Sequence, residues 1–467
     1  MKTRKIIQLA AFLMLLVSSF THAADKELLD ILLGNGSITK EQYEELLKRP
    51  SLTSKDISVT EQLVEEKVDE ALEKKAAKKG AVEVSHDKTG FKVESTDGTW
   101  STKLNWRAQM RFTSPYRSDP RQVDDFDADS ENTFELRRVR MKIGGHAYEP
   151  WLDYYFEVDL QPTRSESRDA ARASSRLIDW RITAQPYEEL GFRIGQWKID
   201  YNRERVDSSG RQQFVERSIV NRQFTIDRQM GAQMRGRFFK DTPADLRYYV
   251  GAFTGQGRGV QNDDDKLMYA GRLQWNFLGR DLKLRQTDVE FTEKPTGSIS
   301  FGAATNTGGS TRWSSSGGGN LDGFTSPSSA EAGQFEVEQY QAGSAFKYRG
   351  FSWQQEYHWK KIRDRVNNET VDMKGAYAQA GYFFHYLIPA VPKQLELAAR
   401  YAFVDESNQD NIQVENKREE FTIGANWFIA GHNNKITVDY SKLYLDDSVL
   451  NRDVDDGRFR VQWDISF

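Results

Sequence analysis

The segment from Phe459 to Phe467, FRVQWDISF, has the clearest pattern in the chain. Apolar side chains occupy every second position from Phe459, and polar side chains lie between them. Because successive side chains of a β-strand point to opposite faces of the sheet, this pattern predicts a strand with one apolar and one polar face. As an edge strand of a soluble sandwich it would invite aggregation, whereas closure of the sheet removes the edge. The segment therefore favours a barrel.

The same two-residue period recurs from Trp100 onward. In Leu104–Phe112 every even-numbered residue is apolar and every odd-numbered one is polar. Comparable alternation occurs at 152–161, 230–237, 267–277 and 421–429. Each run is about ten residues long, the length that a tilted strand needs to cross a bilayer. Recurrence of the pattern, more than any single run, predicts a transmembrane β-barrel.

Short and long connections alternate between these strands. The short ones are centred on 149–150, 185–186, 240–244, 278–281, 349–350 and 431–434, and the long ones span 114–132, 162–175, 200–228, 255–266, 293–334, 405–416 and 446–456. Membrane barrels gather their turns at one rim and their loops at the other. Counting strands from Thr99 to Phe467 predicts an all-β fold, a 16-stranded antiparallel transmembrane β-barrel at 99–467. A barrel of this size leaves a water-filled lumen.

The residues before the barrel predict export. Residues 1–23 form a signal peptide by pattern, with a basic start, an apolar run from Ile6 to Val17 and small residues at 21–23. Residues 24–90 are predicted to be a short helical, coiled-coil-like periplasmic arm, although the narrow apolar stripe also suits a solvated helical arm. We expect the mature chain to cross the periplasm and lie in the outer-membrane lipid of a Gram-negative cell.

The composition excludes several kinds of chemistry. The chain has no cysteine, so disulfides, thiolate metal sites and cysteine nucleophiles are ruled out. Its six histidines are scattered without metal-ligand spacing, and the glycine-rich run 255–259 precedes no helix. A barrel enzyme would need serine or aspartate to converge with histidine, and no motif supports this. We expect no enzyme, no catalytic residue, no metal, no cofactor and no nucleic-acid partner.

The polar positions of the predicted strands are rich in arginine. Arg107 and Arg111 lie on the polar face of the first strand, and the connection 200–228 carries six arginines against acids such as Glu204, Asp207, Glu216 and Asp227. Guanidinium groups stay charged and present a fork that suits carboxylate and phosphate oxygens. Facing the lumen, they indicate a channel for small anionic solutes. In the alternative interpretation they pair with the neighbouring acids and only rigidify the lumen.

The pair Arg137-Arg138 interrupts the alternation. Phe134 and Leu136 have one parity, whereas the apolar residues from Val139 onward have the other. A β-bulge that turns both arginines to the same side would produce this slip. A strand that emerges above the membrane could also lose its alternation here.

Several short motifs together resemble the phosphate- and polyphosphate-selective porins, the porin O and P family. The resemblance covers residues 100 to 467 and rests on Phe134-Glu135-Leu136-Arg137-Arg138, Gly144-Gly145-His146-Ala147-Tyr148, Gly195-Gln196-Trp197-Lys198, Asp200-Tyr201, Glu204-Arg205, Ser208-Ser209, Glu216-Arg217, Gly424-Ala425-Asn426-Trp427 and the closing Gln462 to Phe467. It implies a homotrimer of 16-stranded barrels, each with its third loop folded into the lumen. It also implies an arginine ladder that leads to a basic constriction. Chains that end on an aromatic residue, as here on Phe467, resemble barrels whose terminus the assembly machinery reads.

The resemblance also proposes site residues. Those matched to lumen and constriction positions of the family are Arg107, Arg137, Arg138, Arg205, Arg211, Arg217 and Asp179. The phosphate-selective members place lysines where this chain has Arg205 and Arg211, and this chain adds acids at Asp207 and Glu216. Since a bidentate fork replaces a compact ammonium, anion preference carries over better than phosphate specificity. We expect a porin for small anions such as phosphate or polyphosphate. The alternative is a general diffusion porin of weak selectivity.

Overall fold

The computed structural model describes residues 81–87, 89–115, 132–161, 176–262, 264–313, 319–321, 323–326, 328–407, 416–447 and 452–467, together with three single positions before residue 80. The chain divides into two units, Met1–Lys79 and Gly80–Phe467. The predicted signal peptide at 1–23 and most of the predicted arm at 24–90 lie outside the described residues. They stay predictions.

The second unit is a single antiparallel sheet. Its strands are β1 (Val82–Asp87), β2 (Gly90–Ser95), β3 (Trp100–Ser114), β4 (Thr133–Ala147), β5 (Leu152–Asp159), β6 (Arg176–Ala184), β7 (Gly191–Lys198), β8 (Arg228–Phe238), β9 (Leu246–Phe253), β10 (Met268–Trp275), β11 (Thr296–Gly308), β12 (Phe335–Tyr348), β13 (Phe351–Asp364), β14 (Glu369–Tyr382), β15 (Leu395–Ser407), β16 (Asn416–Phe428), β17 (Asn434–Asp447) and β18 (Arg452–Ser466). From β3 each strand pairs with the next, and β18 pairs with β3, with Trp463 opposite Met110. The sixteen described strands β3–β18 therefore close the predicted barrel.

The two faces of the strands reverse the usual burial pattern of a soluble protein. On β13 the outward Trp359 is exposed, whereas its inward neighbours Glu356, His358 and Lys360 are buried. Outward aromatic residues of other strands, such as Trp427 and Trp463, are also exposed. Apolar side chains that face outward suit the bilayer, and polar side chains that face inward suit an aqueous lumen. The alternation read from the sequence therefore corresponds to the two faces of the closed barrel.

Helices contribute little to the described part of the chain. The short helices α1 (Arg203–Val206) and α2 (Val220–Phe224) lie between β7 and β8, and a 3₁₀ turn spans Phe384–Tyr386. None of the helices within the described residues is long and apolar enough to cross a membrane.

Two connections differ from the expectation. The segment 293–334, predicted as one long connection, contains β11 in its first part. The tight turn predicted at 278–281 is the start of a connection that runs from 276 to 295. Both errors have the same reason: β11 is TGSISFGAATNTG, whose small and hydroxyl residues resemble a loop by composition. It forms a strand because both of its neighbours, β10 and β12, pair with it.

A hairpin, β1–β2, extends the sheet beside the closing seam. β18 pairs with β3 only as far as Arg107, and β2 pairs with the preceding part of β3, with Phe91 opposite Leu104. The hairpin therefore satisfies backbone groups that β18 leaves open. Its first strand falls within the range assigned to the arm and shows that strand structure begins before residue 99.

Candidate functional site

The connection between β7 and β8, residues 199–227, folds into the barrel and is called the lumen loop. Nearly all of it is buried, including polar residues such as Asn202, Glu204 and Gln213. An exposed surface loop would leave such side chains in water. This is the third of the long connections, the one for which the family resemblance implied an inward fold.

Carboxylates and one arginine of the strands anchor the backbone of the lumen loop. Glu356 on β13 accepts hydrogen bonds from the Asn202 amide at 3.0 Å and from the Glu204 backbone N–H at 3.2 Å. Asp439 on β17 accepts from the Val215 N–H at 2.9 Å, and Arg400 on β15 donates to the Glu216 carbonyl oxygen at 2.9 Å. These contacts satisfy loop backbone groups that would otherwise be buried without partners. The loop is thereby held against one side of the barrel.

Close packing completes this attachment. Phe224 and Val220 of α2 are fully buried in a cluster with Tyr201 and Trp313. The loop also approaches β11 at Gly302, where a Cβ would lie 2.6 Å from the Tyr201 carbonyl oxygen. Only glycine permits this approach. The inward faces of β11–β18 and of β3, which meet the loop, are called the covered wall.

A second segment folds inward from the rim of short turns. In this inner turn, residues 276–295, Gln286 accepts a hydrogen bond from the Gln213 N–H at 2.8 Å. Its Lys283 carbonyl accepts from Arg203 at 2.6 Å, and its Thr287 carbonyl accepts from Lys347 at 2.6 Å. The tip of the lumen loop therefore rests on the inner turn near that rim.

The opposite side of the lumen, formed by the inward faces of β4–β10, is called the open wall. Seven basic side chains of this wall are named here the open-wall cations: Arg140, Lys142, Arg181, Arg193, Arg235, Arg247 and Arg272. Tyr249 lies in register between Arg235 and Arg272, and the Arg235 guanidinium lies 5.1 Å from the centre of its ring. Arg181 and Arg247 keep about a quarter of their side chains exposed. These two basic groups therefore remain accessible along this wall. Arg140 and Arg193 are nearly buried and pair with carboxylates, those of Glu157 and Asp159 and that of Asp200.

A cavity of about 270 Å³ lies where the open wall, the loop tip and the inner turn meet. Arg247 and Arg272 contribute from the wall, Arg211 from the loop, and Lys283 and Arg285 from the inner turn. Arg211 is the exposed residue at the loop tip. Asp281 also lines the cavity and pairs with Arg247 at 2.7 Å. Five cationic side chains and one carboxylate leave the space positive and attractive to anions.

Three arginines converge at the side of the lumen where the two walls join. The register of β3 and β4 shifts so that Gln109 lies opposite Arg138 and Met110 opposite Leu136, which leaves Arg137 as the extra residue. The bulge predicted at Arg137-Arg138 is therefore confirmed. Both side chains, together with Arg111, reach Glu216 on the lumen loop.

The chain matches the family model described as phosphate-selective porin O and P over residues 110–465. The chain belongs to this family. It is an outer-membrane porin, a channel and not an enzyme, as the sequence predicted. The match spans the barrel from β3 to β18, so the lumen loop and both walls lie inside it.

Individual relatives are distant. An uncharacterized protein of Aquifex aeolicus (strain VF5) is 24% identical over 445 residues, covering 86% of this chain and 95% of that protein. The outer membrane channel DcaP of Acinetobacter baumannii is 12% identical with a TM-score of 0.52, covering 81% of this chain and all of DcaP. A loop L8 deletion mutant of the outer membrane protein OmpT of Vibrio cholerae is 10% identical with a TM-score of 0.50, covering 78% and 99%. The two structures share the fold with this porin, and the likeness carries no more than that.

Three of the arginines proposed from the sequence hold the lumen loop of the porin together. Arg107 donates to the Ser208 and Ser209 hydroxyls at 3.1 and 2.6 Å. Arg217 donates to the carbonyl oxygens of Glu204 and Asp207 at 2.9 and 2.8 Å. Arg205 forms an ion pair with Asp227 at 2.5 Å. Only Arg205 pairs with an acid, as the alternative interpretation expected, but the contacts of all three hold the loop rigid.

The remaining proposed residues fall into different surroundings. Arg211 is exposed at the loop tip and lines the cavity. Asp179 on β6 is buried and pairs with Arg228. Arg137 and Arg138 belong to the cluster around Glu216. The seven proposed residues do not form one site, and their roles in anion binding stay predictions.

Sequence reasoning left Arg111 and all seven open-wall cations out of the proposed site. A signal for them existed, because Arg111, Arg193 and Arg235 occupy polar positions of alternating strands. Parity shows that such residues face inward, but it does not show which of them the lumen loop will cover. That distinction needed the fold of the loop.

Proposed function

We propose that this porin passes small anions, phosphate or polyphosphate among them, between the lumen loop and the open wall. The observation that carries the proposal is the row of open-wall cations facing a loop that is held against the opposite side. Their positive potential in a narrow, low-dielectric pore attracts anions and repels cations. The family match supports the same solute class.

Movement along the row follows from the chemistry of guanidinium. A phosphate that enters loses part of its hydration shell and gains charge-assisted hydrogen bonds from a planar fork of donors. Several sites of similar strength allow it to step onward, because conduction requires binding that is weak enough to release the ion. Charges on the outer rim act over only about 10 Å at 0.1 M salt, so the lumen groups dominate selectivity.

Ion selectivity of the purified porin in planar bilayers tests the proposal. We expect anion-selective reversal potentials in a KCl gradient, and phosphate should block the chloride current. The double variant R137Q/R138Q should shift the reversal potential toward cations. The matched control is R363Q/R365Q, which removes the same charge from the end of β13 and the turn after it, where both side chains are about half exposed. Cation selectivity of the unaltered porin would contradict the proposal.

A general diffusion porin of weak selectivity is the second candidate. The observation that favours it is the use of Arg107, Arg205 and Arg217 to hold the lumen loop, which removes these cations from contact with solutes. It predicts a reversal potential close to that of free diffusion. It also predicts that R137Q/R138Q and its control differ little.

Assembly of the porin is also proposed from the family resemblance. We infer a signal peptide at residues 1–23, a homotrimer, and recognition of Phe467 by the barrel assembly machinery. The Phe467 backbone pairs with Trp106 on β3, and its ring is exposed on the outer side. Deleting Phe467 should reduce the heat-modifiable barrel in outer-membrane fractions, and cross-linking should trap three copies. Unreduced barrel and a cross-linked dimer as the largest species are the contrary results.

A further inference from the structure

The carboxylate of Glu216 lies among three guanidinium groups. Its Oε1 atom is 2.8 Å from an Arg111 nitrogen, 3.0 Å from Arg137 Nε and 3.2 Å from an Arg138 nitrogen. One anionic oxygen surrounded by three cationic donors is the arrangement that a phosphate oxygen would take in such a cluster. The position is therefore already filled by an anion of the porin itself.

We infer that Glu216 is a tethered competitor for solute anions, so that an anion binds the Arg111, Arg137 and Arg138 cluster by displacing its carboxylate. This inference rests on the proposed function and names a residue that sets the strength of anion binding. With Glu216 in place, a solute anion exchanges one carboxylate for another acceptor instead of filling empty donors. Release is correspondingly easy, because the carboxylate returns.

The attachment of Glu216 allows such a displacement. Its carbonyl oxygen is held by Arg400 at 2.9 Å, and the preceding Val215 is held by Asp439 at 2.9 Å and by Arg111 at 3.1 Å. The side chain itself is about one-fifth exposed. A change of side-chain rotamer can therefore withdraw the carboxylate while the backbone stays anchored.

The charge of the cluster supports competition. Glu135 lies 3.7 Å from Arg111, so two carboxylates face three guanidinium groups and the cluster keeps one net positive charge. Burial raises the pKa of Glu216, but Arg138, Arg111 and Arg137 lower it more, and the pKa lies well below its usual range. Glu216 consequently stays charged at neutral pH. A second anion, not a proton, is what exchanges with it.

The test compares E216Q with E204Q in the full-length porin. Glu204 lies on the same loop but bonds to Ser218 instead of the arginine cluster. At pH 6, below the raised pKa of Glu204, E216Q should lower the phosphate concentration that halves the chloride current by about tenfold, a modest value for a close charge pair. E204Q should change this concentration by less than about twofold, because its amide can still bond to Ser218. In the R137Q/R138Q background, E216Q should have little further effect, since the competing carboxylate has lost most of its site.

The outcomes separate the inference from the proposed function. Cation selectivity of the unaltered porin would overturn both. Anion selectivity with an unchanged or higher half-blocking phosphate concentration in E216Q overturns the inference alone and makes Glu216 a positioning residue. If E216Q fails to yield heat-modifiable barrel, E216D serves instead: it keeps the charge but reaches fewer arginines. A fall of about threefold supports competition, and no fall overturns it.

Discussion

The two walls of the lumen carry similar residues and use them differently. On the covered wall, Glu356, Arg400 and Asp439 are buried, and each bonds to the backbone of the lumen loop. On the open wall, Arg181 and Arg247 keep part of their side chains in the lumen. The same inward parity thus produces loop anchors on one side and a basic surface on the other. An inward-facing charged side chain does not by itself make a solute site. It anchors the loop where the loop covers it, and it can contact solutes where the loop does not.

The largest expected effect comes from removing the tip of the lumen loop, the segment that covers one wall and not the other. Replacing residues 208–214 with two glycines should raise the single-channel conductance roughly twofold or more, because the loop fills part of the lumen. Anion selectivity should fall but persist, since the open-wall cations remain. Conductance in planar bilayers measures this, with heat-modifiability as the control for folding. An unchanged conductance would mean that the loop does not narrow the pore.

Removing charge from the open wall should affect selectivity most directly. R235Q/R272Q takes two cations from adjacent positions beside Tyr249, and we expect the anion-to-cation permeability ratio to fall about three- to tenfold. Channel noise should stay as in the unaltered porin. The half-exposed R363Q/R365Q pair is again the control. If both pairs shift the reversal potential equally, the open wall has no special role.

An arginine of the covered wall should give the opposite phenotype. R400Q leaves the fully buried Glu420 without the guanidinium that pairs with it at 2.5 Å. Removing one partner of a buried ion pair destabilises a protein by about 3–5 kcal/mol. Because Arg400 also bonds to the Glu216 carbonyl oxygen, we expect the loss to weaken loop attachment. We expect frequent closures in single-channel records and faster proteolysis of the loop, with a smaller change in reversal potential than R235Q/R272Q. A large change in selectivity without added channel noise would contradict the idea that the two walls have different roles.

The smallest effect expected is a pH dependence of loop attachment. Burial raises the pKa of Glu204 from 4.5 to about 7. The attached loop therefore holds a proton that a detached loop would release, and attachment loses stability as the pH rises from about 4.5 to about 7. The loss amounts to about 3 kcal/mol at most. Closures should become more frequent between pH 5 and pH 8 in the unaltered porin and not in E204Q. An equal pH response in both proteins would assign it to another group.

Several features could be read from the sequence because they are local. The alternation in Phe459–Phe467 predicted the strand that closes the barrel against β3, and the slip at Arg137-Arg138 predicted the bulge. In both cases neighbouring residues alone carry the information. The strand β11 was missed although it is equally local, because its small residues give weak alternation.

Contacts between distant residues could not be read in this way. Glu216 meets Arg137 and Arg111 across 79 and 105 residues of chain, and Gln286 meets Gln213 across 73. Nothing in the neighbourhood of any of these residues indicates the partner. The sequence contains many arginines and acids, and it does not indicate which of them form pairs.

The sequence by itself determined that the chain alternates, closes into a barrel and turns arginines inward, because the two-residue period of a strand assigns each side chain to a face. Only the tertiary structure decided which arginines hold the lumen loop and which face the passage. That choice depends on closure of the sheet and on the path of residues 199–227 through the lumen. Both bring together groups that are far apart in the chain. The interaction energy of each charged group depends on its burial and on its partner, not on its position in the sequence.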